Sequence, residues 1–216
     1  MRIQKHYAKY VTTGGDGPSV LEGRAADLGY RRFDVVPEAL YQGKLFQAYC
    51  GSGCPLILPG GQPTADDHII MDFGSGAGHD VLLLANKLMT ECDNQSTSAS
   101  NKQVIGVDVT PEMVDAAKEN AMDYPKLAPM TEFIQCNFED PDTAFLLRFE
   151  GQVDLIVSNG VFNLCQDKQK TFQIVFRLLR PNGRLVFSDV MKLIKPEDIN
   201  KKAKIATSIN GDVFSS

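Results

Sequence analysis

The sequence predicts an α/β fold in which a parallel sheet of five strands carries helices on both faces. From Ile69 onward, short apolar segments alternate with longer segments whose apolar residues recur at helical spacing. The first apolar segment is followed at once by a glycine-rich turn, GSGAG. Short buried strands joined by helical crossovers pair in parallel, and the helices then cover both faces of the sheet.

The predicted elements follow one another in a regular order. Strands are expected at residues 69–73, 103–107, 132–136, 153–157 and 184–188. Helices are expected at about residues 79–88, 111–120, 142–147 and 168–178. The second of these helices has the clearest start, because Thr110 can cap it, Pro111 suits its first turn and Glu112 complements the positive end of the helix dipole.

Three segments lie outside this alternation. Residues 1–67 are expected to form a cap region with two helices, at about 2–11 and 37–48, and residues 68–216 to form the main domain. The segment from Thr90 to Lys102 is polar, rich in serine and without aromatic residues, which predicts a flexible surface insertion. After Val190 the sequence predicts only a lysine-rich helix and a Gly-Asp turn.

The composition limits the class of protein. A chain of 216 residues, 43% of them hydrophobic, can bury one sizeable core. A net charge of −5 and an isoelectric point near 5.2 argue against a nucleic-acid-binding surface. No apolar run approaches the ~20 residues that span a bilayer, and we expect no membrane segment. Five cysteines without a secretory signal fit a reducing compartment, so we expect a cytoplasmic protein.

The strongest functional signal is the first strand together with the turn after it. Gly74, Gly76 and Gly78 let the backbone turn sharply and approach a ligand closely. An acid, Asp72, lies two residues before the first of these glycines. A second acid, Asp108, ends the next apolar segment, where a nucleotide-type ligand presents its ribose hydroxyls. These features predict an adenosine-containing cofactor.

Two cofactors compete for this pocket. A dinucleotide fingerprint has the spacing G-x-G-x-x-G, whereas the glycines here follow G-x-G-x-G. S-adenosylmethionine has no pyrophosphate for a helix terminus to grip, and its sulfonium and amino cations gain from a nearby carboxylate such as Asp72. The sequence therefore favours S-adenosylmethionine.

Later segments carry a family resemblance. Residues 154–164 are DLIVSNGVFNL, followed by an Asp-Lys pair, and residues 176–190 are FRLLRPNGRLVFSDV. Upstream lie IQKHYAKYV at residues 3–11 and AYCGSGCPL at residues 48–56. Together these segments resemble the arsenite methyltransferases over nearly the whole chain. The resemblance implies a Rossmann-like class I methyltransferase with an N-terminal helical cap, an S-adenosyl-L-methionine cofactor and a small-molecule methyl acceptor.

The resemblance also implies which residues hold the cofactor. Asp72 and the glycine turn are expected at its methionine part, and Asp108 at its ribose. Asn137 and Phe138 are expected at the adenine ring with Val109 on its other face, although an aromatic residue just after a strand is as often part of the core. The full predicted set is Asp72, Gly74, Ser75, Gly76, Asp108, Val109, Asn137, Phe138 and Ser158.

The chain departs from the family at the residues that would bind arsenic. The family binds trivalent arsenic through thiolates, but the matching positions here hold Ser52, Gly160 and Ser208. Arsenic is a soft centre, and a serine hydroxyl cannot replace a thiolate as its ligand. We therefore expect a different small-molecule acceptor and no methylation of arsenite, and the catalytic residues stay unknown.

Two alternatives stay open. In the first, Cys50, Cys54 and Cys165 bind arsenite in place of the missing thiolates, although Cys165 is expected to begin the next helix and point elsewhere. Cys92, in the polar insertion, and Cys136, at a strand end, indicate no chemistry, and no metal site is predicted because the early cysteine pair has no second pair. In the second alternative the protein binds the cofactor without turnover and acts as a regulatory or structural partner.

The predicted sheet has an open edge at its last strand. Methyltransferases of this class close the sheet with two further strands, which the sequence does not show after Val190. Either the chain is a truncated piece of a longer one, or a partner chain covers this edge, because an unpaired edge strand invites pairing.

Overall fold

The structure is a computed structural model that describes residues 4, 5, 8, 9, 27, 28, 30 and 51–190. The residues described between positions 4 and 9 are helical, in agreement with the first predicted cap helix. The second predicted cap helix, at residues 37–48, lies outside the described residues. So do Cys50, Ser208 and the lysine-rich segment after Val190.

Five strands form one sheet: β1 (Ile69–Phe73), β2 (Gln103–Asp108), β3 (Thr131–Gln135), β4 (Val153–Asn159) and β5 (Leu179–Ser188). All neighbours pair in parallel, in the order β3-β2-β1-β4-β5. The connecting helices are α1 (His79–Asn94), α2 (Pro111–Met122), α3 (Thr143–Phe149) and α4 (Lys168–Leu178). The predicted α/β class and parallel sheet are confirmed. None of the helices in the described part of the chain is long and apolar enough to cross a membrane.

Alternate residues of each strand face opposite sides of the sheet and build two cores. Ile70 of β1 and Leu155 of β4 pack with residues of α1 and α2. Met71 and Ile156, one position further along the same strands, pack with residues of α3 and α4. Because both faces are covered, the central strands are mostly apolar rather than alternating regularly with polar residues.

Helix α1 extends further than predicted and takes up the first part of the expected insertion. The helix continues to Asn94, and Cys92 is fully buried one turn after the equally buried Leu88. Placing Cys92 in a polar loop was therefore wrong, because its small apolar side chain continues the buried face of the helix. The end of the segment, Lys102, is also buried, and its ammonium donates to the Asp67 carbonyl at 2.8 Å.

Helix α2 begins where the sequence predicts, but by another mechanism. Pro111 occupies its first turn as expected, yet the side chain of Thr110 makes no capping hydrogen bond. The Thr110 amide instead donates to Oδ1 of Asp108 at 2.8 Å. The predicted side-chain cap is wrong, because the carboxylate at the end of β2 organises this helix start.

Strand β5 starts earlier than predicted and forms an edge of the described sheet. It begins at Leu179 rather than Arg184, and a register irregularity opposite Val153 and Leu155 accommodates the added residues. Among the described residues, β4 is its one neighbour in the sheet. Phe187, near its end, is 39% exposed.

Buried charges close the amino ends of the strands. The Arg184 guanidinium donates to both oxygens of Asp67, at 2.9 and 2.6 Å, and Asp67 is 1% exposed. The Asp154 carboxylate accepts the main-chain amides of His68 at 2.9 Å and Ile69 at 2.8 Å. These contacts fix the start of β1 against β4 and β5, and they leave the carboxyl ends of the strands free for a ligand.

Candidate active site

A cavity of about 290 Å³ opens at the carboxyl ends of the strands, where β2 and β4 flank β1. Ligands of open α/β sheets bind at this point, because the chain leaves the central strand in opposite directions and opens a crevice. The cavity is lined by Gln4, Gly74, Gly76, Asp108, Val109, Thr110, Met113, Asn137, Phe138, Glu139, Asn159, Gly160, Val161, Leu164, Cys165 and Gln166.

The turn after β1 presents bare backbone to this cavity. Gly74, Gly76 and Gly78 have φ angles of +74°, +51° and +86°, in the left-handed region that disfavours side chains. A Cβ atom on Gly74 would lie 2.3 Å from Cγ2 of Val161, so no side chain fits there. Around Gly76 the nearest atom would be Sδ of Met113, at 3.9 Å. The backbone of Gly76 is therefore open to close approach by a ligand.

Asp108, at the end of β2, braces the same turn. Its Oδ2 accepts a hydrogen bond from the Gly76 amide at 3.0 Å, and its Oδ1 accepts one from the Thr110 amide at 2.8 Å. Burial raises the pKa of Asp108, and the Thr110 and Gly76 amides oppose that rise. A carboxylate has about four acceptor sites, so both oxygens keep capacity for hydroxyl donors in the cavity. This position fits the expected ribose contact, which stays a prediction.

Asp72 lies behind the glycine turn and is absent from the cavity lining. It is 2% exposed, and burial raises its pKa well above the ordinary value. The nearby carboxylates of Asp80 and Asp108 add to the rise. A cation placed near these three carboxylates would offset their mutual repulsion. The surroundings of Asp72 therefore suit a cationic methionine group, although contact with the cofactor stays a prediction.

Val109, Asn137 and Phe138 lie together at one end of the cavity, where the adenine ring is expected. Phe138 is 6% exposed and stacks on Phe73 with ring centroids 4.9 Å apart. It is a core residue whose remaining surface faces the cavity, so its two expected roles are compatible. Nε2 of Gln4 donates to the Val109 carbonyl at 3.1 Å, which brings the amino-terminal helix over this end.

Ser158 and Ser75 do not line the cavity. Ser158 is fully buried, and its hydroxyl donates to the Phe73 carbonyl at 2.8 Å, which ties β4 to β1. The Ser75 hydroxyl is buried without a hydrogen-bond partner in the described part of the chain and packs over Gly106. Its amide donates to the Val107 carbonyl at 3.1 Å. Both serines shape the ends of the strands, and their predicted cofactor contacts stay predictions.

Residues 51–53 lie next to Asn159 and Gly160, which line another part of the cavity. Ser52 and Gly160, two positions that hold cysteine in the arsenite methyltransferases, are neighbours here, because a Cβ atom on Gly160 would lie 3.3 Å from Oγ of Ser52. Asn159 holds the segment in place. Its Oδ1 accepts the Ser52 and Gly53 amides at 2.8 and 3.1 Å, and its Nδ2 donates to the Gly53 carbonyl at 2.6 Å.

Cys54 and Cys165 lie in the two different cores, on opposite faces of the sheet. Burial raises the pKa of Cys54 to about 12, and Asp80 adds to the rise. Cys165 lines the cavity, and burial raises its pKa as well. The expectation that Cys165 starts the next helix is wrong, because Asp167 caps α4 and delays its start. Among the described residues no group of three His, Cys, Asp or Glu side chains could hold a metal ion.

The sequence did not identify Tyr30 or Gln4 as residues of the site. It also did not predict that Asn159 bonds to several separate segments. Asn159 had a usable signal, because it is a polar residue at the carboxyl end of a buried strand. Tyr30 had none, since it lies in a segment without periodicity. It is nonetheless fully buried, and its hydroxyl donates to Asp80 and accepts a hydrogen bond from Asn159.

The fold and the cavity define a class of protein. A parallel sheet whose first turn is G-x-G-x-G, with an acid at the end of β2, is the arrangement of the Rossmann-like class I methyltransferases. The chain belongs to the methyltransferase-domain family, which matches residues 65–213. The methyl donor of this class is S-adenosylmethionine.

Within this class the chain is similar to arsenite methyltransferases. It is 32% identical over 219 residues to the arsenite methyltransferase of Halobacterium salinarum, covering 91% of this chain and 49% of that protein. It is 37% identical over 144 residues to the arsenite methyltransferase of Aquipseudomonas alcaligenes, covering 65% of this chain and 36% of that protein. The chain thus spans half the length of these relatives or less.

A solved structure shows the same fold. An arsenic(III) S-adenosylmethionine methyltransferase from Chlamydomonas reinhardtii superposes with a TM-score of 0.54 at 24% identity. The match covers 82% of this chain and 54% of that one. At this level of identity the structural similarity shows the fold only. The methyl acceptor has to be inferred from the site itself.

Proposed function

We propose that the protein transfers a methyl group from S-adenosylmethionine to a small-molecule acceptor other than arsenite. The observation that carries this proposal is the extent of the cavity. It joins Gly76 and Asp108, where the cofactor is expected, to Asn159 and Gly160 at the opposite end. A methyl donor and an acceptor can therefore meet in one cavity. Within this proposal, residues 1–67 act as the cap and the remainder as the methyltransferase domain.

The chain's own residues would bind and orient the reactants. Bound S-adenosylmethionine supplies an electrophilic methyl group, so the protein needs no nucleophile of its own and its main contribution is positioning. Asp108 would accept the ribose hydroxyls, and the bare backbone of Gly76 would lie against the cofactor. Asp72 would stabilise the cationic end, while Phe138 and Gln4 would exclude water from the adenine end.

Arsenite is a poor methyl acceptor for the part of the site beside Ser52 and Gly160. Trivalent arsenic needs two or three converging thiolates, and the neighbouring positions here hold a hydroxyl at Ser52 and no side chain at Gly160. Ser208 lies outside the described residues. The pocket wall instead suits an acceptor that arrives already nucleophilic.

One observation favours the arsenite alternative, since Cys165 lines the cavity. Its proposed companion Cys54 lies on the opposite face of the sheet, and with a pKa of about 12 it is protonated at neutral pH. For a cysteine, the thiolate and not the thiol is the form that binds a soft centre. Cys165 therefore has no described thiolate beside it, and we infer that arsenite methylation by the unmodified chain is absent.

The proposal is tested by binding and turnover together. Calorimetric titration with S-adenosylmethionine and S-adenosylhomocysteine measures the cofactor site, and a screen with labelled donor measures methyl transfer to thiols, selenite and arsenite. We expect binding of both cofactor forms and transfer to an acceptor other than arsenite. Binding without transfer to any acceptor would favour a regulatory or structural role, and no binding would overturn the proposal.

The arsenite inference has its own test in paired substitutions. Ser52→Cys together with Gly160→Cys restores two adjacent thiols, and we expect arsenite binding in this variant alone. Gly160 has a φ of +73°, so any side chain there is strained, and the matched control is Ser52→Ala with Gly160→Ala. Robust arsenite methylation by the unmodified protein would contradict the inference.

A further inference from the structure

A chain of buried hydrogen bonds runs from the glycine turn to the opposite end of the cavity through Tyr30. The Tyr30 hydroxyl lies 2.7 and 2.9 Å from the two carboxylate oxygens of Asp80 and 2.8 Å from Nδ2 of Asn159. Asp80 belongs to the first turn of α1, directly after the glycine turn, and its Oδ1 lies 2.9 Å from Nδ1 of His79. Tyr30 is fully buried and its ring packs edge-on against His79, with centroids 4.7 Å apart.

The direction of each bond follows from the chemistry of the groups. The Tyr30 hydroxyl has a single proton, which it donates to the Asp80 carboxylate. An amide nitrogen only donates, so Nδ2 of Asn159 donates to the lone pair of the Tyr30 oxygen. Tyr30 thus polarises both partners in one sense, and in a site shielded from water such chained hydrogen bonds reinforce one another.

Asn159 passes this constraint on to the segment beside the acceptor end. Its two amide protons go to Tyr30 and to the Gly53 carbonyl, and its oxygen accepts the amides of Ser52 and Gly53. Every polar position of the side chain has a partner, so turning the amide over would break four hydrogen bonds. Oγ of Ser52 in turn lies 3.4 Å from the Ser188 carbonyl at the end of β5. The position of residues 52–53 is therefore tied to Tyr30.

We propose that Tyr30 is a positioning residue for methyl transfer, whose hydroxyl couples the cofactor end of the cavity, through Asp80, to the acceptor end, through Asn159. The proposal rests on the function proposed above. A ligand that orders the glycine turn and the start of α1 would then also order the Ser52–Gly53 segment. Loss of the hydroxyl would leave two separate ends, each with a buried polar group that has lost a partner.

Hydrogen exchange of the Ser52 and Gly53 amides tests this coupling. These amides donate to Asn159, so their exchange rate reports how firmly the acceptor-end segment is held. In the unmodified chain we expect S-adenosylhomocysteine to slow their exchange roughly tenfold, as for one stabilised hydrogen bond. In Tyr30→Phe, which keeps the ring, we expect the ligand still to bind by calorimetry but this slowing to be lost.

Tyr124→Phe is the matched control, because Tyr124 is a partly buried tyrosine that packs against the same core and is not a member of the chain of bonds described above. A purely structural role for Tyr30 would lower the melting temperature and leave the ligand-induced slowing intact, and that result would overturn the proposal. If Tyr30→Phe does not fold, Asp80→Ala cuts the chain at its other end, and the same loss is expected. Failure of the ligand to bind the unmodified chain would instead contradict the proposed function.

Discussion

Asp108 combines two tasks within one carboxylate. It accepts the Gly76 and Thr110 amides, which fixes the glycine turn and the start of α2, and it keeps acceptor capacity toward the cavity. An amide side chain at this position would offer one oxygen where two are used. The turn and the ligand would then compete for the oxygen that remains.

We expect Asp108→Asn to weaken binding of S-adenosylmethionine by roughly 1.5–3 kcal/mol, the range for hydrogen bonds to a charged group. Calorimetry measures this directly. Asp67→Asn is the control, because it makes the same change at a buried carboxylate that does not line the cavity. Unchanged affinity in Asp108→Asn would reject the ribose assignment.

Asp72 gives a prediction with opposite signs for stability and binding. Burial and the neighbouring Asp80 and Asp108 carboxylates raise its pKa in the folded chain. Its contribution to stability is therefore fully present below the unfolded pKa, about 3.9, and is lost as pH rises through the higher folded value. A bound cation needs the ionised form, so cofactor affinity should rise over the same pH range.

Asp72→Asn should accordingly stabilise the free protein at neutral pH and weaken binding of S-adenosylmethionine roughly tenfold or more. Urea denaturation of the free protein and calorimetry, each repeated over a series of pH values, measure the two effects. S-adenosylhomocysteine keeps the ammonium group but lacks the sulfonium charge, so its binding should change less. Equal losses for both ligands would contradict a role for Asp72 at the sulfonium.

For single residues, the sequence predicted which side chains lie at the cavity better than it predicted their hydrogen-bond partners. Asp108, Val109, Asn137 and Phe138 all reach the cavity, because residues at the carboxyl ends of parallel strands share one edge of the sheet. Ser158 does not, because the alternation of strand side chains turns it inward to the Phe73 carbonyl. Tyr30 was beyond sequence reasoning, since it reaches the site through tertiary packing alone.

Two turns of the fold show two different reasons why a position requires glycine. Gly74 has a positive φ and also no space for a side chain, since a Cβ atom would lie 2.3 Å from Val161. Gly151, in the turn between α3 and β4, has a similar φ of +68° with nothing within 4 Å of such an atom. The pair distinguishes backbone strain from steric overlap.

We expect Gly151→Ala to lower the free energy of unfolding by about 1–2 kcal/mol, the cost of a left-handed residue with a side chain. Gly74→Ala should lower it by roughly 1–3 kcal/mol more, because overpacking adds to the same strain. Urea denaturation compares the two variants. Only Gly74→Ala should also weaken binding of S-adenosylmethionine, and equal effects on stability and binding would contradict this account.

The boundaries of elements were less predictable than their existence. Helix α1 ran on to Asn94 because Cys92 continues its buried face, although the surrounding polar residues suggested a loop. Strand β5 began at Leu179 because Leu179 pairs with Val153 of β4, while a register irregularity accommodates the polar, proline-containing residues 180–183 before pairing resumes at Arg184. In both cases tertiary packing, rather than local composition, determined the boundary of the element. The local sequence does not reveal that packing.

At the scale of the whole molecule, the two ends of the sheet divide the work. The amino ends hold paired charges, with Asp67 bound by Arg184 and Asp154 bound by Arg180. The carboxyl ends hold Asp72 and Asp108, whose pKa values burial raises. The paired charges stabilise the fold. Asp72 and Asp108 are not paired with a cation among the described residues, so a cationic ligand would stabilise their ionised forms. The parallel topology makes this division, because it sends all strands toward the same end.

This division predicts that a charge lost at the amino ends affects stability alone. Asp67→Asn should lower the free energy of unfolding by roughly 1.5–3 kcal/mol, because the Arg184 guanidinium loses its charged partner. Burial opposes but does not outweigh the Arg184 and Thr64 hydrogen bonds, so the folded pKa of Asp67 is lowered. The stability it supplies is present above the unfolded pKa of about 3.9 and is lost as pH falls through the folded value.

Urea denaturation from pH 7 downward, in steps to about pH 3, should therefore show the unmodified chain and Asp67→Asn converging at acid pH. Calorimetry at neutral pH should show the same S-adenosylmethionine affinity in both, in contrast to Asp108→Asn. A binding loss in Asp67→Asn comparable with that in Asp108→Asn would contradict the division. Asp67 precedes β1 at the amino ends of the strands, whereas Asp108 lies at the carboxyl end of the neighbouring strand β2.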